Sequence, residues 1–243
     1  MVFAIAAPSA AVAGPVQIFF TDFDSAVPTE LTGITTTEDV WGFAADGFSG
    51  NMLRNESGGD AQDRRITGIE GQATVLTLTG LAEHTHIEVN FLLAVIDSWD
   101  NGGSCLKGND YFNVVADGST LIRDSFGNAC GDASYAGPSA SASGGLHHRG
   151  FASVFADRAY DLGMDSRLFF AHTGSTLTLQ FFANGAGWQG GIDESWGMDN
   201  LEVILYATDV ATVPEPGTLL LVGGALLGGV IARAKTGCAR RAT

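Results

Sequence analysis

The sequence predicts an all-β protein: an antiparallel β-sandwich of jelly-roll-like form, followed by a single hydrophobic helix at the C-terminus. Three observations predict it. Short runs alternate apolar and polar residues, as in Thr74-Val75-Leu76-Thr77-Leu78-Thr79 and Thr176-Leu177-Thr178-Leu179-Gln180-Phe181, and period two puts the apolar side chains on one face of a strand. Glycine-rich turn signals separate the runs, drawn from 33 glycines against only 6 prolines. Before the tail, no stretch combines a 3.6-residue apolar period with capping residues. Many short strands joined by such turns imply two packed sheets.

In chain order the expected strands are Val16–Phe20, Val40–Ala44, Ala73–Thr79, His84–Ile96, Tyr111–Ala116, Thr120–Phe126, Phe151–Phe155, Arg167–His172, Thr176–Ala183 and Met198–Ala207. Asn101-Gly102-Gly103, Asn184-Gly185 and Gly190-Gly191 mark turns between them. Asp117-Gly118, set between Val114-Val115-Ala116 and Thr120-Leu121-Ile122, is the clearest hairpin signal. The Ser/Gly-rich stretch from Pro138 to Gly145 reads as a loop within the domain, because too few strands follow it to close a second core.

Composition narrows the function. The chain has 243 residues and a net charge of −15. Four of its 12 basic residues and one of its 27 acids lie beyond residue 212, so the preceding part carries −18. Such a charge argues against nucleic acid and anionic lipid, both polyanions. It suits divalent cations, or neutral or cationic ligands. Cys105 and Cys130 are expected to pair in an oxidising compartment, leaving Cys238 reduced.

The polar residues gather in two loops. Asp97-Ser98-Trp99-Asp100-Asn101-Gly102-Gly103 leads to Asp110-Tyr111-Phe112, and Trp188-Gln189-Gly190-Gly191-Ile192-Asp193-Glu194-Ser195-Trp196 leads to Asp199-Asn200. Each follows a long apolar strand, so both are expected at one rim. Asp97, Asp100, Asp110 and Asp199 are candidate ligands for structural Ca²⁺, which takes six to eight oxygens at about 2.3–2.6 Å. Asx turn-capping is the competing role. Trp99, Trp188 and Trp196 are candidates for stacking on sugar faces, against ordinary packing. His84, His86 and Glu88 fall on one strand face, a weak Zn²⁺ pattern set against a solvent face. Gly185-Ala186-Gly187-Trp188-Gln189-Gly190 spells G-x-G-x-x-G, but no helix opens after it to hold a pyrophosphate. Asp193 and Glu194 are adjacent, so on a strand they point to opposite faces and cannot share one glycosidic bond. No active site is assigned, and no cofactor beyond the Ca²⁺ candidate.

The two ends are read as handling signals. Val213-Pro214-Glu215-Pro216 stays extended, because each proline fixes φ and restricts the residue before it. Gly217 to Ala232 carries no charge and holds Leu220 and Leu226 among its apolar residues. As a helix it spans roughly 24 Å at about 1.5 Å per residue, short of the ~20 residues of a stable span. Arg233, Lys235, Arg240 and Arg241 follow and are expected on the cytoplasmic side. This order of Pro-Glu-Pro, short apolar helix and basic tail resembles the PEP-CTERM sorting signal of Gram-negative bacteria. The resemblance covers the last eighth of the chain. It implies recognition and cleavage by an exosortase, a transient tether in the inner membrane, and delivery to the cell surface or outside.

At the other end, Ala11-Val12-Ala13 has the form of a secretory cleavage site, read as the close of a signal peptide that starts upstream. The expected organisation is therefore residues 1–14 as residual signal peptide, 15–212 as sandwich passenger and 213–243 as sorting segment. The passenger also resembles a β-sandwich module of secreted bacterial proteins that carries no agreed activity. The expected function is an exported, non-enzymatic surface or matrix protein, processed by exosortase and secretion machinery and associated with extracellular polysaccharide. A polysaccharide-active surface enzyme is the alternative, and binding to ice or mineral surfaces is the second, suggested by the Thr-x-Thr strands.

Overall fold

The computed structural model describes residues 14–58, 71–101, 108–126, 128, 134–137, 157–191 and 193–207. The sorting motif, the apolar segment after it, the basic tail, Cys105, Cys130, the expected strand Phe151–Phe155 and residues 1–13 lie outside these. Among the described residues no helix is long and apolar enough to cross a membrane.

The strands are β1 (Val16–Thr21), β2 (Leu31–Gly33), β3 (Thr36–Asp39), β4 (Asn51–Asn55), β5 (Thr74–Thr79), β6 (His86–Asp97), β7 (Asp110–Ala116), β8 (Ser119–Asp124), β9 (Arg158–Asp161), β10 (Phe169–Ala171), β11 (Thr176–Gly185) and β12 (Glu194–Tyr206). They form two antiparallel sheets. The larger is built on the long pair β6–β12, and the smaller runs in the order β2-β5-β11-β7-β8. In the larger sheet each long strand is edged by two short ones. β10 pairs with β6 at residues 86–88 and β9 pairs with it at 92–95. On the far side of β12, β4 pairs at 196–198 and β1 at 201–205. A bulge interrupts β12 between Asp199 and Glu202, where Asn200 takes φ 53°.

Alternation builds the core. Ile87, Val89, Phe91, Leu93 and Val95 of β6 point inward, as do Leu177, Leu179 and Phe181 of β11. The sheets meet through their aromatic rings: Phe91 lies 5.4 Å from Phe181, and Phe112 lies 5.1 Å from Trp196 in a T-shaped contact. A second, smaller cluster covers half of the outer face of the larger sheet. There Val40, Phe43, Phe48 and Met52 pack on Ala94, Ile96 and Ala159.

That cluster explains one departure from the sequence expectation. The run expected as strand Val40–Ala44 is instead part of a 3-10 helix, Trp41–Asp46, ended by Gly47 at φ 93°. Its apolar residues serve as a cover over the sheet, and a tight helix presents Phe43 toward it where a strand would need a pairing edge. The start of expected strand Arg167–His172 is likewise a 3-10 turn, Ser166–Leu168, before β10. Four short strands, β2, β3, β4 and β9, were not expected; they lie at or near sheet edges. The Asp117-Gly118 hairpin is present, with both turn residues at positive φ (48° and 81°) and Ala116 paired with Ser119.

Candidate functional site

The two polar loops do meet at one end of the core. Asp110 opens β7 in the smaller sheet and Glu194 opens β12 in the larger one. Period two puts Asp110 on the face of Phe112, and Glu194 on the face of Trp196, so the carboxylates form the next rung of the ladder that those rings begin. Asp100, in the loop after β6, completes a trio. One carboxylate oxygen from each of Asp100, Asp110 and Glu194 lies within 4.8 Å of the others, with Asp110 and Glu194 buried and Asp100 half-buried.

The backbone holds these side chains in place. The N–H of Asp100 donates to Asp110 Oδ2, and the N–H of Asp110 donates back to the Asp100 carbonyl at 2.8 Å. Glu194 Oε2 accepts from the N–H of Gln189 at 2.6 Å. Asp110 Oδ1 and Glu194 Oε1 are buried and have no hydrogen-bond donor among the described residues. Gly187 faces this oxygen pair: a Cβ on it would sit 2.8 Å from Asp110 Oδ1, so glycine keeps room beside the carboxylate.

Burial pushes the Asp110 carboxyl up to about 8, with the Asp100 charge adding to it and the Asp100 N–H opposing. Burial raises Glu194 well above the usual carboxylate range, and the Asp110 charge raises it further. The arrangement is one of crowded negative charge in a region that solvates it poorly.

The other expected ligands are elsewhere. Asp199 stands five residues along β12 from Glu194, roughly 17 Å at about 3.3 Å per residue. Its oxygens accept from the N–H groups of Ser49 (2.9 Å) and Asn200 (2.7 Å), so it ties the bulge to the segment following the 3-10 cover. Burial raises it to about 6, against those two N–H groups. Asp97 is buried at the end of β6 at φ 64°, and its N–H donates to Asp157 Oδ1 at 3.0 Å. Glu194, by contrast, was absent from the candidate ligands. The matching triplets Asp110-Tyr111-Phe112 and Glu194-Ser195-Trp196 carry the signal that finds it.

The tryptophan expectation is corrected. Trp99, Trp188 and Trp196 are all at 0% exposure, so no ring face is open to a sugar. Trp99 Nε1 donates to the Ser195 carbonyl at 2.9 Å, Trp188 Nε1 donates to that of Ser57 at 3.1 Å, and the first two rings pack edge to face at 5.0 Å. For Trp99 and Trp188 the indole N–H finds a carbonyl, which helps so polar a sequence stretch to be core. His84 does not join His86 and Glu88 either: it is buried, with Nε2 2.7 Å from His172 Nδ1.

Exposed aromatic rings are found instead on the uncovered half of the larger sheet. Phe20 is 49% and Phe169 is 45% exposed. His86 stacks on Phe169 at 5.0 Å, and Tyr206 meets Phe169 edge-on at 5.1 Å while donating its hydroxyl to Glu88. Beside Phe20, a groove of about 350 Å³ runs past Gln17, Asn90, Asn200, Glu202 and Asp161. Asn90 Nδ2 donates to Glu202 Oε2 at 3.1 Å, while Asn90 Oδ1 is buried without a donor among the described residues.

Comparisons with known proteins bear on the tail more than on the sheets. No curated protein matches the chain. Among solved structures, dimeric latent PorU from Porphyromonas gingivalis is similar at 12% identity and a TM-score of 0.31, over 67% of this chain and 14% of that one. The infectious bursal disease virus Gt strain structure is similar at 14% identity and a TM-score of 0.26, over 76% of this chain and 33% of that one. The chain thus spans a small part of either, and similarity at this level identifies nothing. Residues 212–235 match the family model of the PEP-CTERM protein-sorting motif, and the chain is accordingly a carrier of that export and exosortase-sorting signal.

Proposed function

We propose that this is an exported, non-enzymatic β-sandwich protein of the cell surface or extracellular matrix, and that its sandwich binds a neutral polysaccharide on the open half of the larger sheet. The observation that carries the reading is the exposed Phe20 ring beside the amide and carboxylate groups of Gln17, Asn90 and Glu202. A sugar offers an apolar face to an aromatic ring and hydroxyls to side-chain oxygens and amides. The charge of −18 on the part preceding the tail repels acidic polysaccharides and favours neutral ones.

Burial weighs against the enzyme alternative. Burial raises the pKa of Asp110 and of Glu194, as in catalytic acids, yet both are at 0% exposure, and a glycosidic bond must reach its acid. The ice-binding alternative gains one observation: Thr176 pairs with Thr79 and Thr178 with Thr77, so the Thr-x-Thr strands are neighbours. The patch ends there, because β7 on the next position presents Tyr111, Asn113 and Val115.

The test is retention on immobilised neutral and acidic polysaccharides. Wild type is expected to be retained on a neutral one, and Phe20→Ala and Asn90→Ala to lose at least tenfold in affinity. Equal retention of all three proteins would remove the groove from the reading, and product release from any polysaccharide would overturn the non-enzymatic part.

A further inference from the structure

We propose that Asp100, Asp110 and Glu194 form a binding site for a hard divalent cation of the Ca²⁺ type, which clamps the two sheets together at one end of the core. The inference is independent of polysaccharide binding.

Acidic residues often gather without holding an ion, so the argument rests on what lies inside the trio. Asp110 Oδ1 and Glu194 Oε1 are buried oxygens with no donor among the described residues. A buried carboxylate oxygen without a donor is costly. The other oxygen of each is already held by a backbone N–H, from Asp100 and Gln189 respectively. Each side chain is thereby fixed, with its second oxygen left toward the other carboxylates. A proton shared between the two carboxyls or a cation neutralises that space, and the third carboxylate, Asp100, adds negative charge that suits the cation.

The donor set selects the ion. All three side chains offer oxygen, with neither sulfur nor imidazole among them, which suits Ca²⁺ and related hard cations over Zn²⁺ or Cu²⁺. Gly187 contributes by what it lacks, since a Cβ there would crowd Asp110 Oδ1.

Position supplies the consequence. Asp110 belongs to the smaller sheet and Glu194 to the larger, while Asp100 hangs on the end of β6. An ion bound by all three cross-links the sheets just beyond the Phe112–Trp196 contact. It replaces repulsion by attraction at a rung of the inter-sheet ladder that hydrophobic packing does not close.

The full chain melted in EGTA and in excess Ca²⁺ provides the test. Ca²⁺ at a hundredfold excess over its dissociation constant is expected to raise the melting temperature by about 5–10 °C. Glu194→Gln keeps an oxygen for the Gln189 N–H and is expected to abolish the shift. Asp100→Asn, at a half-buried position, is expected to melt like wild type in EGTA and to weaken Ca²⁺ binding about tenfold. Tb³⁺ luminescence sensitised by Trp99, the neighbour of Asp100, should fall in both variants. A wild-type melt unmoved by Ca²⁺ would show a proton-sharing carboxylate pair in place of an ion site. A Ca²⁺ shift equally large in both variants would place the ion elsewhere on the acidic surface. Either result overturns the proposal.

Discussion

Asp157 shows how one buried carboxylate sets a pH dependence. It is fully buried, accepts the Asp97 N–H through Oδ1 at 3.0 Å and leaves Oδ2 without a donor among the described residues. Burial raises its pKa to about 6, opposed by that N–H and by the charge of Arg54. The unfolded value is 3.8, so between the two values the folded state binds more protons. The contribution is favourable below the unfolded value and is lost as the pH rises through the folded one. Asp157→Asn keeps the bond to Asp97 and removes the charge. It is expected to raise stability at neutral pH by about 1–3 kcal/mol, with no gain near the unfolded value. Urea melts at both pH values check this; an equal difference at the two would mean that ionisation is not the cause.

At the scale of elements, turns were more legible than edges. Asp117-Gly118 specifies a two-residue hairpin because both positions need positive φ, which glycine and aspartate tolerate. Gly118 has open space around it, so Gly118→Val tests backbone conformation alone. It is expected to cost about 1–2 kcal/mol, measured by denaturant melt, whereas a cost near zero would mean that the turn has relaxed. The alternating strands β5, β6, β7 and β11 could be read from sequence for the same reason: period two survives wherever one face is buried. β2, β3 and β4 could not. They are three to five residues long and mostly polar or paired at an edge, where neighbouring strands decide pairing more than the residues themselves. The apolar run at Val40–Phe43 misled because hydrophobicity reports burial, and a cover over a sheet buries side chains as well as a strand does.

Over the whole molecule, aromatic contacts tie the two sheets together. Phe112 touches Phe91 at 6.2 Å, Phe126 at 6.1 Å and Trp196 at 5.1 Å, joining both sheets. Phe112→Ala is expected to cost about 3–5 kcal/mol, and a loss below ~1 kcal/mol in a chemical melt would show that the core has collapsed around the gap. The rim cluster was half legible. Two Asp/Trp-rich loops at one end could be foreseen, but which carboxylates converge depended on register. The tryptophans looked available because they stand among polar residues, and only the fold shows all three rings buried, with the N–H groups of Trp99 and Trp188 spent on backbone carbonyls. For the sorting signal, replacing Pro214 and Pro216 by alanine is expected to leave the precursor uncleaved in the membrane fraction of an exosortase-bearing host; release equal to wild type would dismiss the motif as the recognised element.

The tail begins only a few residues after β12, and β12 is the most extensively paired strand of the larger sheet, with β6 along one side and β4 and β1 along the other. A pull on the C-terminal end of β12 itself is therefore resisted from both sides. The ladders on both sides are then loaded in shear, many hydrogen bonds sharing the force at once. An edge strand in the same place would peel away one bond at a time. The topology thus hangs the cargo from its spine.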